Sequence, residues 1–250
     1  MSILQKVHSF SEENKLNQAK LNFILLDLPF RIPDLTAKFV GGRRVYETPD
    51  GEFTSITSLL GSLPRFKIGI NKWRQRIGKQ AADFESKRCL TRGTQFHKIC
   101  ECYLSNKMIP DSFDTLPMTM FNNTKEQLGK INLIHGLEKS LWSKELGVAG
   151  TSDCIGNFSN ILSIIDFKTS TKPKNKSWIT KYFLQECAYS LMYKERTGID
   201  ITNLVTIFAV EDGSTQVFIE NRDDWIEKLY DCLNEASTLM PRCTMKTKVI

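Results

Sequence analysis

No C-x-x-C pair occurs in this chain, no apolar run approaches the roughly 18 residues of a membrane span, and no charged and then apolar leader opens it. The seven cysteines, Cys89, Cys100, Cys102, Cys154, Cys187, Cys232 and Cys243, are odd in number and scattered, so they read as reduced thiols in a cytosolic-type compartment. An iron–sulfur cluster needs four thiolates gathered in space, usually with a close group near the C-terminus. Only Cys232 and Cys243 lie there, so no iron–sulfur cluster is expected. The other two absences predict a soluble, cytoplasmic protein that does not engage a membrane. A large charge imbalance is missing too: 34 basic against 28 acidic side chains leave +6. That mildly favours an anionic partner such as nucleic acid, although on net charge alone an ordinary solvated basic surface is the better account. What is present is core material. With 250 residues, 41% hydrophobic and 10% aromatic, the chain can form one large domain or a domain with an added lobe.

Residues 1–37 lack clear punctuation and read as an N-terminal appendage around the apolar run Phe23 to Leu28, with one domain over 38–250. From Lys38, FVGGRRVYETPDGEFTSITSLLG reads as two short strands around Pro49-Asp50-Gly51, the second leading into a Thr/Ser-capped segment. INKWRQRIGKQAADFESKRCL and RGTQFHKICECYL follow as two helical stretches separated near Arg92-Gly93. Residues 105–123, with Pro110, Pro117 and Asn122-Asn123, read as a surface loop. A helix or strand over Ile131 to Trp142 comes next, then strands over Val148 to Phe158 and ILSIIDFKT. TSTKPKNKS is a basic loop, and Ser177 is placed to cap the helix WITKYFLQECAYSLMYKERT, which Gly198 stops. NLVTIFAV and TQVFIE form a hairpin across Asp212-Gly213, and DDWIEKLYDCLNEA closes the chain as an amphipathic helix. The order is that of a mixed α/β core.

The chemistry concentrates in the hairpin after Phe158. A turn centred on Ser159-Asn160 pairs positions summing to 319, which sets Asp153 opposite Asp166. Opposed residues carry Cβ atoms about 4.5 to 5.5 Å apart, so two carboxylates there repel unless a cation sits between them. The period of two puts Lys168 on the same face as Asp166. Oxygen ligands favour Mg²⁺ or Mn²⁺, and the Phe167 backbone carbonyl is a further neutral oxygen. Beside such an ion, a lysine can orient or deprotonate a water, or neutralise charge developing on a phosphorane. A bare D-x-K on a strand is usually no more than an exposed charge pair. Three features lift this one: the register with Asp153, the apolar run Ile161 to Ile165, and the small residues Ala149-Gly150-Thr151.

Other residues are candidates with two readings each. His97 and Glu101 share a helix face, where His97 is either a nitrogen ligand or a histidine bonded to a neighbour. Gln185 and Tyr189 also share a face: an amide and a phenol for a phosphate or the attacking water, or a polar stripe on a solvated helix. Lys172, Lys174 and Lys176 with Trp178, and Lys72-Trp73-Arg74-Gln75-Arg76, interleave charge with rings as single-stranded nucleic acid requires. Trp73 and Trp178 serve equally well as core residues.

Taken in order, FTSITSLLG, Trp73, RGTQFHKICECYL, GVAGTSD, IIDFKTS and the helix bearing Gln185 and Tyr189 resemble the RecB-like branch of the PD-(D/E)XK nucleases. Within that branch the likeness is to the mitochondrial genome maintenance exonuclease group and its phage relatives, over roughly residues 40–220. The resemblance implies a restriction-endonuclease-like α/β core, a central mixed sheet flanked by helices. It implies His97, Asp153, Asp166 and the Phe167 carbonyl around Mg²⁺ or Mn²⁺, Lys168 as catalytic lysine, and Gln185 with Tyr189 on the substrate side. The superfamily's proline is absent, since Ser152 precedes Asp153. The upstream acid of the family is Glu138 or Glu145, with Glu138 the better spaced, and Glu101 is a further candidate. The activity implied is a metal-dependent exonuclease on single-stranded DNA ends, beside replication or recombination proteins. An endonuclease of the same fold on structured or duplex DNA, and a non-catalytic DNA-binding module, are the alternatives.

Overall fold

The computed structural model describes residues 23–239. Residues 1–22 of the expected appendage, and Cys243, lie outside that range. The remainder of the appendage is tied to the domain: Leu26 N–H donates to the Ile134 carbonyl at 2.8 Å, and Phe23 packs its ring edge-on against Tyr103. Three strands open the domain, β1 (Thr36–Val40), β2 (Arg43–Thr48) and β3 (Gly51–Ser55). Where two strands were expected around Pro49-Asp50-Gly51, the first is split, because Gly41 and Gly42 both take positive φ and turn the chain.

Helices α1 (Ile56–Ser62), α2 (Pro64–Ile77) and α3 (Lys79–Leu104) follow. The expected break near Arg92-Gly93 is absent, and α3 runs straight through it. The break falls instead at Gly78, whose φ of 83° a side chain would resist. The surface loop expected over 105–123 is also corrected in its second half, which is helix α4 (Thr115–Leu128) with Pro117, Met120 and Phe121 buried. Pro117 fits because the first turn of a helix needs no N–H from it.

Then come the long strands β4 (Ile131–Ser143), β5 (Val148–Phe158) and β6 (Ile161–Ser170). Helix α5 (Thr180–Thr197) crosses back to β7 (Asn203–Val210), which pairs with β6 in parallel, and β8 (Thr215–Asn221) and α6 (Ile226–Leu239) complete the domain. Ser177 does not cap α5. Asn175 instead accepts from the Ser177 N–H in a short 3₁₀ turn, and α5 begins at Thr180. Gly198, left-handed at φ 75°, ends that helix as expected.

All eight strands form one mixed sheet, with helices on both faces. One layer buries Ile56, Leu60, Ile155, Ile164, Phe183, Tyr189 and Leu229 beneath α1, α5 and α6. The other buries Phe96, Ile99, Tyr103, Phe121, Ile165, Phe167 and Ile207 beneath α3 and α4. Strand alternation explains the division on β6: Ile164 faces one layer, and Ile165 and Phe167 face the other. No helix among the described residues is long and apolar enough to cross a membrane.

Candidate active site

The sheet forks in the middle of β5. Strand β4 pairs along one edge of β5, while the other edge is shared: β3 pairs at Val148 and Ala149, and β6 pairs from Cys154 to Phe158. Between them, residues 150–153 carry no strand partner on that edge. The expected register holds, with Cys154 opposite Ile165 and Phe158 opposite Ile161, both sums being 319. Asp153 and Asp166 occupy the next position, where the rungs stop and β6 leaves to follow β7 alone.

A side chain replaces the missing rung. The Phe167 N–H, which an unbroken ladder would hand to Ser152, donates to Asp153 Oδ2 at 2.8 Å. In an extended strand the N–H and C=O of one residue point the same way, so the Phe167 carbonyl faces the same gap. On α3, His97 brings Nδ1 to 3.4 Å from Asp153 Oδ2 and sets its ring edge-on to Phe167. Glu138 lies on β4 between two residues paired with β5, Leu137 with Cys154 and Lys139 with Ser152, and its φ of 46° is a strained backbone for a glutamate. Ligand atoms of His97, Glu138 and Asp153 all lie within 4.8 Å of one another.

Asp166 is buried and held differently. Its Oδ1 accepts from Gln185 Nε2 at 3.2 Å, and Oδ2 faces the Lys168 ammonium as an ion pair without hydrogen-bond geometry. Lys168 also lies 5.1 Å from the centroid of the Tyr182 ring. Gln185 Nε2 bonds the Tyr189 hydroxyl at 3.2 Å as well. Gly150 makes room for this arrangement, since a Cβ there would meet Tyr189 Cε1 at 2.7 Å. The small residue noted in the sequence is therefore a packing requirement of the phenol.

The electrostatics follow from burial and neighbours. Burial pushes the Asp153 carboxyl up, but His97, Lys168 and the Phe167 N–H overcome it and bring it to about 2. Asp166 is pushed up to about 6, with burial outweighing the pull of Lys168. Burial opposes charge on Lys168, yet the two aspartates hold its proton more firmly than usual. For His97, burial is likewise outweighed by Asp153, and its pKa is raised. Burial, then Asp153, lifts Glu138 to about 7.

These residues fit a hard divalent ion. Carboxylate oxygens and one imidazole converge at the fork, and the buried Asp166 Oδ2 has acceptor capacity left. Asp166 is not a member of the group of three, because Lys168 and Gln185 hold it on the α5 side. Of the candidate acids, Glu138 joins the group, Glu101 is tied to Lys98 at 2.7 Å, and Glu145 accepts from Tyr230 at 2.9 Å.

Two sequence readings change. Gln185 and Tyr189 are 5% and 2% exposed, so a solvated stripe does not describe them. Helix α5 is covered on that face, and the pair positions Asp166. Trp178 is 75% exposed, which removes the core alternative, and Trp73 is half-buried on α2, a helix with no buried residue. Lys172 is exposed, Lys174 is half-buried with its backbone held by Gln216, and Lys176 is paired to Glu220. Sequence reading missed Tyr182, Glu186 and Arg92. Tyr182 and Glu186 share the Gln185–Tyr189 face at helical spacing, a signal that was available. Arg92 is buried, bonds Thr169 at 3.1 Å and pairs with Glu211, fixing α3 to the end of β6.

This chain is similar to mitochondrial exonucleases. Mitochondrial genome maintenance exonuclease 1 of Mus musculus is 26% identical over 127 residues, 48% of this chain and 38% of the relative. The Homo sapiens protein of that name is 25% identical over 156 residues, 58% of this chain and 45% of the relative. The chain thus spans less than half the length of these curated relatives. No family model matches it. The likeness is distant, and it supports a relationship to nucleases.

Proposed function

We propose that this chain is a Mg²⁺- or Mn²⁺-dependent deoxyribonuclease with a PD-(D/E)XK core of RecB-like type, which hydrolyses phosphodiester bonds from single-stranded DNA ends. The observation that carries this reading is the fork itself. It gathers Glu138, Asp153 and His97 on one side and Asp166 with Lys168 on the other, at the one stretch of β5 edge left without a strand. Asp153, Glu138, His97, Asp166 and the Phe167 carbonyl would hold the ion. When bound, it supplies Lewis-acid polarisation of a phosphoryl oxygen and a lowered pKa for water.

The chain's own groups do the rest. Lys168 retains its proton beside two aspartates, which suits it to neutralise charge on the phosphorane and to orient the attacking water rather than to deprotonate it. Gln185 fixes one Asp166 oxygen and so leaves the other, which pairs with Lys168, without a hydrogen-bond donor and with acceptor capacity for the ion. Arg92 and Glu211 keep α3, and with it His97, in place over β6. Trp178 offers an exposed ring for a base, with Lys172 and Lys174 nearby in sequence for phosphates. Helix α2 carries Trp73 among five basic residues and no acid. Replication or recombination proteins are the partners this reading expects.

Purified protein incubated with end-labelled single strands should release short products in Mg²⁺ or Mn²⁺ and none in EDTA, and Lys168→Ala should abolish release. Intact substrate with the wild-type chain in both metals would sink the proposal. A circular single strand separates the endonuclease alternative, because an exonuclease leaves it whole. Salt-sensitive binding without cleavage, equal in the wild type and Asp166→Ala, would identify a binding module.

A further inference from the structure

Most buried and half-buried cations among the described residues have carboxylate partners. Arg88 has Glu85 and Glu211, Arg92 has Glu211, and Arg222 has Asp200 and Asp223. Lys181, half-buried in the first turn of α5, has none. Among the described residues it makes no hydrogen bond and no salt bridge, and the first turn of its helix holds no acid. Its ammonium lies 5.8 Å from the centroid of the Tyr182 ring, the same ring that Lys168 approaches at 5.1 Å. Two ammonium groups thus lie near one ring beside Asp166, whose carboxylate is already engaged by Lys168 and Gln185. Burial and the charge of Lys168 weaken the hold of Lys181 on its proton, and the weaker pull of Asp166 does not make up for them. Among the described residues that cation has no carboxylate within salt-bridge distance.

We propose that Lys181 binds the phosphate adjacent to the scissile one on a DNA single strand, with Lys168 serving the scissile phosphate. This rests on the nuclease reading and adds a substrate-contact residue to it. Neighbouring phosphates of one strand would supply an anion to Lys181, which has no carboxylate partner, while the next phosphate meets Lys168 beside the same ring. The exposed Trp178, three residues before Lys181, gives the adjoining base a surface to stack on.

The test is the salt dependence of binding. A fluorescein-labelled single-stranded oligonucleotide is titrated in EDTA by anisotropy against the wild type, Lys181→Gln and Lys181→Arg over a series of salt concentrations. Lys181→Gln should weaken binding several-fold and flatten the slope of log K against log salt by about 0.7, the value for one phosphate contact on a single strand. Lys181→Arg should restore the slope. A single neutral methylphosphonate beside the cleaved position should weaken the wild type and leave Lys181→Gln unaffected. An unchanged slope for Lys181→Gln overturns the proposal, whether or not affinity falls, because lost packing alone would leave the slope intact. If the wild type hydrolyses single strands and Lys181→Gln keeps its slope, only this contact fails. If the wild type neither binds nor hydrolyses them, the nuclease reading fails with it.

Discussion

Asp153 accepts the backbone N–H of Phe167 at 2.8 Å, just past the last rung that joins β5 to β6. One carboxylate therefore ends a ladder and lies against the imidazole of His97. Removing it should have two separable effects. Asp153→Ala leaves a buried N–H without an acceptor and should cost about 1–3 kcal/mol of stability. Asp153→Asn keeps an acceptor oxygen in place and should unfold within about 1 kcal/mol of the wild type. Both should abolish hydrolysis. Urea titrations check the contrast, and equal losses for the two variants would contradict it.

Gly150 is the clearance for Tyr189. An added Cβ meets Cε1 of that ring at 2.7 Å, so Gly150→Ala should destabilise by about 1–3 kcal/mol, as overpacking does. The displaced phenol would carry Gln185 with it, loosening Asp166, and hydrolysis should fall at least tenfold. Tyr189→Phe in the Gly150→Ala background should not restore full activity, since it removes the 3.0 Å contact with the hydroxyl but leaves the closer one, 2.7 Å, with the ring. Full activity in Gly150→Ala would show that Tyr189 does not position the site.

Glu186 is fully buried, accepts from the Thr206 hydroxyl and leaves Oε2 without a partner. Burial, then Asp166, raises its pKa well above the usual carboxylate range. The sign is set by which state keeps the proton. Below the unfolded value of about 4.3 both states are protonated and stability is complete. As pH rises toward the folded value only the unfolded chain ionises, so stability is lost. In metal-free buffer the wild type should lose up to about 1.4 kcal/mol per pH unit through this group. Glu186→Gln should lack that component. Parallel stability curves for the two proteins from pH 5 to 8 would refute the assignment.

Trp178 stands clear of the core, with 75% of its surface exposed. Trp178→Ala should therefore change stability by less than about 0.5 kcal/mol. If a base stacks on it, the same substitution should weaken single-strand binding by about 1–3 kcal/mol. Anisotropy and thermal unfolding on one preparation distinguish a nucleic-acid contact from a residue that does neither.

The β-branched strands and the 319 register were legible because alternation and a two-residue turn leave few alternatives, and Cys154 opposite Ile165 bears this out. Glycine was harder to interpret. Gly93 lies inside α3, where an added Cβ would meet Thr169 Oγ1 at an ordinary 3.6 Å, and does not break the helix, while Gly78 does, because φ rather than residue type decides. The loop expected over Pro117 failed because a proline in the first turn is compatible with a helix. At the site, Asp153, Asp166 and Lys168 came from spacing alone. The place of Glu138 depends on a positive φ and a long-range strand pairing that local pattern does not encode. Gln185 and Tyr189 were identified as a pair, but their burial depends on the close packing of α5 over β5.

The most direct test of the central claim is the initial rate of hydrolysis of an end-labelled single strand as Mn²⁺ is titrated from EDTA to saturation, for the wild type and Asp153→Asn. The account predicts no rate in EDTA, a saturable rise for the wild type and none for the variant at any Mn²⁺ concentration. Hydrolysis that persists in EDTA, or a variant that follows the wild-type curve, would contradict a metal-dependent centre at the fork of β5 and β6.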